Sequence, residues 1–203
     1  MTSKGKELVR CPWAGTDELY IRYHDEEWGV PMTDDRALFE KLVLEGFQAG
    51  LSWITILRKR DNFRAAFHDF DAERIARYST RDIDRLMKNE GIIRNRAKIE
   101  ATISNAKAYL ALSERMPFSQ YLWGFLNGRP IINENASSTE IQTETEVSKK
   151  MSKGLKADGF RFVGSTTLHA FMQSTGMVND HLVTCFRHAP CAKLQKKLKI
   201  PGL

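Results

Sequence analysis

An all-α fold is what this 203-residue chain predicts, on three observations. Apolar residues recur at helical spacing, capping residues and glycines bracket those runs, and the alternation of a half-buried strand is almost nowhere seen. A hydrophobic fraction of 42% is enough for one domain with a substantial core, or two small helical lobes sharing a cleft. The expected division is a single domain over 1–190 followed by a basic, flexible tail at 191–203.

The helices follow in order. Thr33 or Asp34 can cap the run "DDRALFEKLVLEGF". At about 100° per residue, Leu38, Leu42 and Ala49 project within roughly 60° of Glu45, so the carboxylate faces the expected core. Gly46 and Gly50 interrupt the pattern, at about 1 kcal/mol each relative to alanine. Ser52 restarts a helix to about 67, with Trp53, Ile56, Leu57, Phe63 and Phe67 as its apolar positions. A short helix spans 71–77. The next opens at Ser79, three residues before Asp82 and close to a capping box, and ends at Gly91. Residues 95–113 form a long amphipathic helix with Ile99, Ile103, Ala106 and Leu110 on one stripe. "PFSQYLWGFL" is a short helix, and the polar stretch 127–146 an exposed connection with a short extended piece at 130–133. Helices resume at 144–157, stopped by Gly159, at 165–175, stopped by Gly176, and at 178–186. The end, "AKLQKKLKIPGL", has four lysines in twelve residues and is expected to fray.

Composition narrows the setting. No run approaches the 18 or so apolar residues of a membrane helix, and the N-terminal residues lack the apolar core of a secretory signal. A cytoplasmic, monomeric protein is expected, with its three cysteines as free thiols or metal ligands. The net charge of +6 fits an anionic partner, nucleic acid or phosphorylated metabolite, as well as an ordinary basic protein.

Four groups of residues carry chemistry. Glu45 is a charge on a core-facing stripe, which costs several kcal/mol unless it is paired, protonated or used; an ion pair with Arg or Lys is the plain alternative. Cys11 and His24 lie near the start, and His181 and Cys185 near the end, the latter two spaced i, i+4. Two thiolates and two imidazoles make a closed tetrahedral set suited to structural zinc, stapling the termini together. Buried cysteines and satisfied core histidines are the competing reading, and His188 and Cys191 are rival ligands. Trp13, Tyr20, Tyr23 and Trp28 crowd sixteen residues among acids. They suit core packing or a planar, electron-poor ligand, at about 0.5–2 kcal/mol per cation–π contact. Finally, "NEGIIRNRAKI" sets Gly91 and Ile93 between two helices with Arg94, Arg96 and Lys98 alongside. That resembles a helix-hairpin-helix element gripping a DNA backbone, although Ile93 stands where the usual pattern has a second glycine.

Taken together, "YIRYHDEEWGVP", "LEGFQAGLSWITIL", "GIIRNRAKI", "GFRFVG" and "VNDHLVTC" resemble the type I 3-methyladenine DNA glycosylases, in family order from about Arg10 to Cys185. The resemblance implies a helix-hairpin-helix glycosylase fold and monofunctional excision of 3-methyladenine from alkylated double-stranded DNA, with no organic cofactor. It implies one structural Zn2+ on Cys11, His24, His181 and Cys185. It places Glu45 at the chemistry and Tyr23 and Trp53 around the base, with Trp13, Tyr20 and Trp28 beyond them. Gly50 and Leu51 become the wedge into DNA, and Gly91, Ile93, Arg94 and Lys98 the backbone contacts. The catalytic aspartate of related glycosylases has no counterpart, since Asp158 and Asp180, the last two aspartates, lie in the wrong setting. A non-catalytic damage-binding protein of the same fold, and a metallohydrolase using the Cys/His set, are the rival functions.

Overall fold

The computed structural model of the chain describes residues 8–203; the first seven residues, where the expected 1–190 domain begins, lie outside them. Ten helices carry the fold among the described residues. The first, α1 (Glu18–Glu26), is capped by Asp17, whose side chain accepts from Tyr20 N. Patterning misses this helix, because acids and aromatics fill it without a clean apolar stripe. Asp34 caps α2 (Asp35–Gln48) by accepting from Ala37 N at 2.8 Å. Ser52 precedes α3 (Trp53–Ala66), and Asp71 caps α4 (Ala72–Ala76). The capping box of Ser79 and Asp82 opens α5 (Thr80–Met87), which stops short of Gly91. Asn95 caps α6 (Arg96–Ser113), and α7 (Phe118–Gly124) follows.

The connection after α7 holds the expected extended piece as β1 (Ile131–Ile132), ahead of α8 (Glu146–Ala157) and α9 (Ser165–Ser174). Where a helix over 178–186 is expected, the chain instead forms β2 (Val178–Asn179), parallel to β1, and then a run of turns. Pairing with a strand 47 positions earlier overrides local propensity here. The expected frayed tail is also corrected. Helix α10 (His188–Lys197) runs through the 190/191 boundary, burying Cys191 and Gln195, and Ile200 is buried beyond it. Gln195 Nε2 donates to Gly176 O at 2.9 Å, which ties the helix to the loop after α9.

At the centre lies α2, packed against α3, α6, α7 and α9. Residues 41–47 are buried on every side, as are Leu38 and Phe39. Each fully buried Leu or Phe contributes about 1.5–3 kcal/mol, so this helix anchors the core. Ala49, expected on the buried side, is exposed because the helix has ended there. No helix of the described residues is long and apolar enough to cross a membrane.

Candidate active site

A cavity of about 250 Å³ opens between α1, α2, α3 and α9, lined by Trp13, Tyr20, Tyr23, Trp28, Glu45, Gln48, Trp53, Ile141, Ala170, Gln173 and Ser174. Ligand pockets for drug-sized molecules run from about 300 to 1,000 Å³, so this one suits a single flat ring system. The rings form a connected wall. Trp13 stands 5.0 Å from both Tyr20 and Trp28, and Tyr23 lies 5.5 Å from Trp53, centroid to centroid. The five aromatic residues expected around a base and Glu45 are therefore brought together.

Glu45 is 3% exposed. Burial pushes its carboxyl up to about 7, against the opposing pull of the Lys41 charge and a hydrogen bond from Ser174. Ser174 Oγ lies 2.9 Å from Glu45 Oε1 and 3.0 Å from Phe171 O, and its single proton serves one of them at a time. Lys41 is equally buried, with Nζ 4.9 Å from the Tyr23 ring and 4.7 Å from the Trp53 ring. Desolvation lowers its pKa. Trp53 Nε1 is buried with no partner among the described residues. Sequence reasoning missed Lys41, Gln173 and Ser174. Lys41 carried a usable signal, one helical turn before Glu45. The two α9 residues lie about 130 positions away and carried none.

Beside the cavity the chain makes a tight turn. Leu51 N donates to Gln48 O at 2.7 Å, and Ala49 has φ −48°, ψ 117° while Gly50 has φ +81°. These are the dihedrals of a type II turn, whose third position needs glycine. Leu51 is left 39% exposed at the tip. Lys98 Nζ donates to Phe47 O at 2.8 Å and Ala49 O at 2.7 Å, and Gln48 Nε2 to Leu51 O. The DNA contact expected of Lys98 is thus corrected. Its side chain is buried, and its ammonium satisfies the carbonyls at the end of α2. The other residues expected to contact the DNA backbone lie between α5 and α6. Arg94 is exposed and paired with Glu90 at 3.3 Å, Gly91 and Ile93 are half-buried, and Gly91 N is taken by Asn89 Oδ1.

Cys11, His24, His181 and Cys185 converge, with ligand atoms all within 4.8 Å of one another and every residue buried. His181 and Cys185 reach this point from a turn rather than one face of a helix. Cys185 N donates to Leu182 O, and Arg187 N reaches Cys185 Sγ. His181 Nδ1 lies 3.6 Å from both sulfurs, and His24 Nε2 3.5 Å from Cys185 Sγ. A tetrahedral centre with metal–sulfur bonds of about 2.3 Å and metal–nitrogen bonds of about 2.05 Å sets such edges near 3.5 Å. The outward nitrogens are also held, His24 Nδ1 by Asp25 at 2.7 Å and His181 Nε2 by Trp28 O at 3.0 Å. Hydrogen bonds from Cys11, His181 and His24 hold the Cys185 thiol far below its usual range, which suits a thiolate ligand. His188 and Cys191 stand apart, engaging Asn133 O and Trp28 O. Gly29, at φ +80°, lets the chain pass His181, where a Cβ would meet the ring at 3.1 Å.

An electron-rich, acid-bearing cavity of base size, beside an exposed leucine on a braced turn, defines a helical base-binding protein. The chain belongs to the methyladenine glycosylase family, whose model matches residues 13–188. It is 54% identical over 184 residues to the DNA-3-methyladenine glycosylase of Haemophilus influenzae, covering 90% of this chain and 97% of that one. Its fold superposes with a TM-score of 0.88 on a crystal structure of a 3-methyladenine DNA glycosylase I, 53% identical, covering 89% and 100% of the two chains. The TM-score is 0.86, at 36% identity, for the Staphylococcus aureus enzyme solved to define 3-methyladenine recognition, covering 90% and 98%.

Proposed function

We propose that this protein is a base-excision repair enzyme that removes 3-methyladenine from alkylated double-stranded DNA by hydrolysing the N-glycosidic bond. The observation that carries the reading is Glu45, a buried carboxylate inside a ring-walled cavity, which no basic side chain among the described residues closes by direct ion pairing. The names of its relatives agree with it.

The target sits inside a duplex, so the nucleotide is flipped out at a cost of a few kcal/mol. Leu51 fills the space left behind, its turn braced by Lys98 and Gln48. With Gly91 N committed to Asn89, the backbone from Ile93 onward and the Arg94 side chain hold phosphate in the manner of a helix-hairpin-helix element. N3-methylation makes the bound base cationic, and its glycosidic bond is correspondingly weak. Tyr23 and Trp53 favour that cationic ring over neutral adenine. Glu45, ionised, accepts from the amino edge of the base and stabilises the positive charge that develops on the sugar. Recognition is its main role and charge stabilisation its second.

Cys11, His24, His181 and Cys185 would hold one zinc ion, which supplies a fixed crosslink between chain ends. With four buried protein ligands the set leaves no open position, so hydrolysis at the metal is disfavoured. The protein acts as a monomer in the cytoplasm, with no organic cofactor.

Base release from methylated duplex DNA, resolved by chromatography, tests the reading. Wild-type protein releases 3-methyladenine, and folded Glu45→Gln releases it about a hundredfold more slowly. No release from folded wild type would leave a damage-binding protein with Glu45 as a structural acid.

A further inference from the structure

The cavity wall opposite α1 comes from α9, which presents Ala170, Gln173 and Ser174. Ser174 serves Glu45, but Gln173 is tied elsewhere. Its Nε2 donates to Asp180 Oδ2 at 2.7 Å. Asp180 is 1% exposed, and its other oxygen accepts from Asn133 Nδ2 at 2.7 Å and Asn135 Nδ2 at 3.0 Å. With donors converging on it, Asp180 offers Gln173 only an acceptor, and the amide cannot reverse. The Gln173 nitrogen therefore points at Asp180 and its oxygen away from it, and among the described residues no donor reaches Oε1.

We propose that Gln173 determines base specificity: its side-chain oxygen, oriented by Asp180, accepts from the 6-amino group of an adenine-type base and repels the 6-oxo group of a guanine-type base. An adenine carries two N–H donors at that position, and a guanine only acceptor lone pairs. Glu45 and Gln173 give the wall two acceptors for those two protons. The roles differ in kind. A carboxyl that gains a proton becomes a donor and can tolerate an oxo group, whereas an amide locked in orientation offers the same lone pairs at every working pH. This inference rests on the reading of the cavity as the base-excision site.

The test uses one duplex substrate methylated to contain both 3-methyladenine and 3-methylguanine, with both released bases quantified for wild type and Gln173→Met. The methionine keeps the length and removes the acceptor. The ratio of 3-methyladenine to 3-methylguanine release falls about tenfold in the variant, the size of one lost hydrogen bond and one relieved repulsion. An unchanged ratio, or an equal loss of both bases, overturns the proposal and leaves Gln173 as wall. If Gln173→Met does not fold, Gln173→Ala carries the same ratio test. A wild type that releases neither base removes the underlying reading instead, and is told apart because no variant is needed to see it.

Discussion

Two carboxylates lie buried among the described residues, and they are opposites. Asp180 is surrounded by donors: Asn133, Asn135 and Gln173 each give it a hydrogen bond, and His169 Nε2 stands 3.4 Å away. Burial alone would raise its pKa, but His169, Asn133 and Gln173 outweigh that and hold it below the usual range. Glu45 is nearly as deeply buried and has one side-chain donor among the described residues, Ser174, so burial wins and pushes its carboxyl up to about 7. The first is a fastening, complete without a ligand. The second is incomplete in a cavity, which is what a recognition group requires. The Cys/His cluster is a fastening too, with its outward nitrogens matched to Asp25 and the Trp28 carbonyl and its four inward atoms arranged as a metal would need them.

The strongest way to break this contrast is at the fastenings. Cys185→Ser, or chelation of the wild type, costs on the order of 5 kcal/mol or more, read as lost denaturant resistance. Base release per folded molecule falls far less. A metal assay finding no zinc in the purified protein would remove the reason for the loss. Asp180→Ala follows at about 3–5 kcal/mol, since it leaves a cluster of buried donors unmatched, and chemical denaturation measures it.

Glu45 moves the other way. Its folded pKa stands above the unfolded value of 4.5, so the folded state holds the proton more tightly. Its contribution is therefore most favourable below about pH 4.5, declines as pH rises towards 7, and levels off above. Glu45→Gln gains stability at pH 8 of at most about 3 kcal/mol, and no gain at pH 4.5, even as base release collapses. A variant destabilised at both pH values would place Glu45 among the fastenings.

A finer test is the pH profile. With the ionised carboxylate as acceptor, kcat/KM rises through about pH 7, and Lys41→Met moves that rise to higher pH by removing the charge that opposes protonation. A profile flat from pH 5 to 9 contradicts the assignment. The smallest effect is at the turn. Gly50→Ala costs about 1–2 kcal/mol for a left-handed backbone, seen as a lowered melting temperature with weaker DNA binding.

The sequence exposed what depends on neighbours in the chain. Asp34, Asp71, Ser79 and Asn95 sit at the helix starts where their chemistry places them. Glu45 stood out because Leu38 and Leu42 share its side of α2. What it hid depends on distant partners. Residues 178–186 read as helix until Ile131 and Ile132 are seen to pair with Val178 and Asn179. Lys98 read as a phosphate ligand until its ammonium is found on carbonyls about 50 positions earlier. Gln173 and Ser174 carry no local mark. The aromatic and Cys/His groups were visible as clusters, and their family resemblance chose between readings that spacing left open.

Trp28 belongs to both sides of the contrast. It lines the cavity, its carbonyl accepts from His181, and their rings stand 4.6 Å apart. During synthesis, then, Trp13, Tyr20, Tyr23 and Trp28, four of the five wall aromatics, wait for His181, made more than 150 residues later. A chain that stops between Trp53 and His181 has every aromatic residue of the wall and lacks the support that His181 gives Trp28.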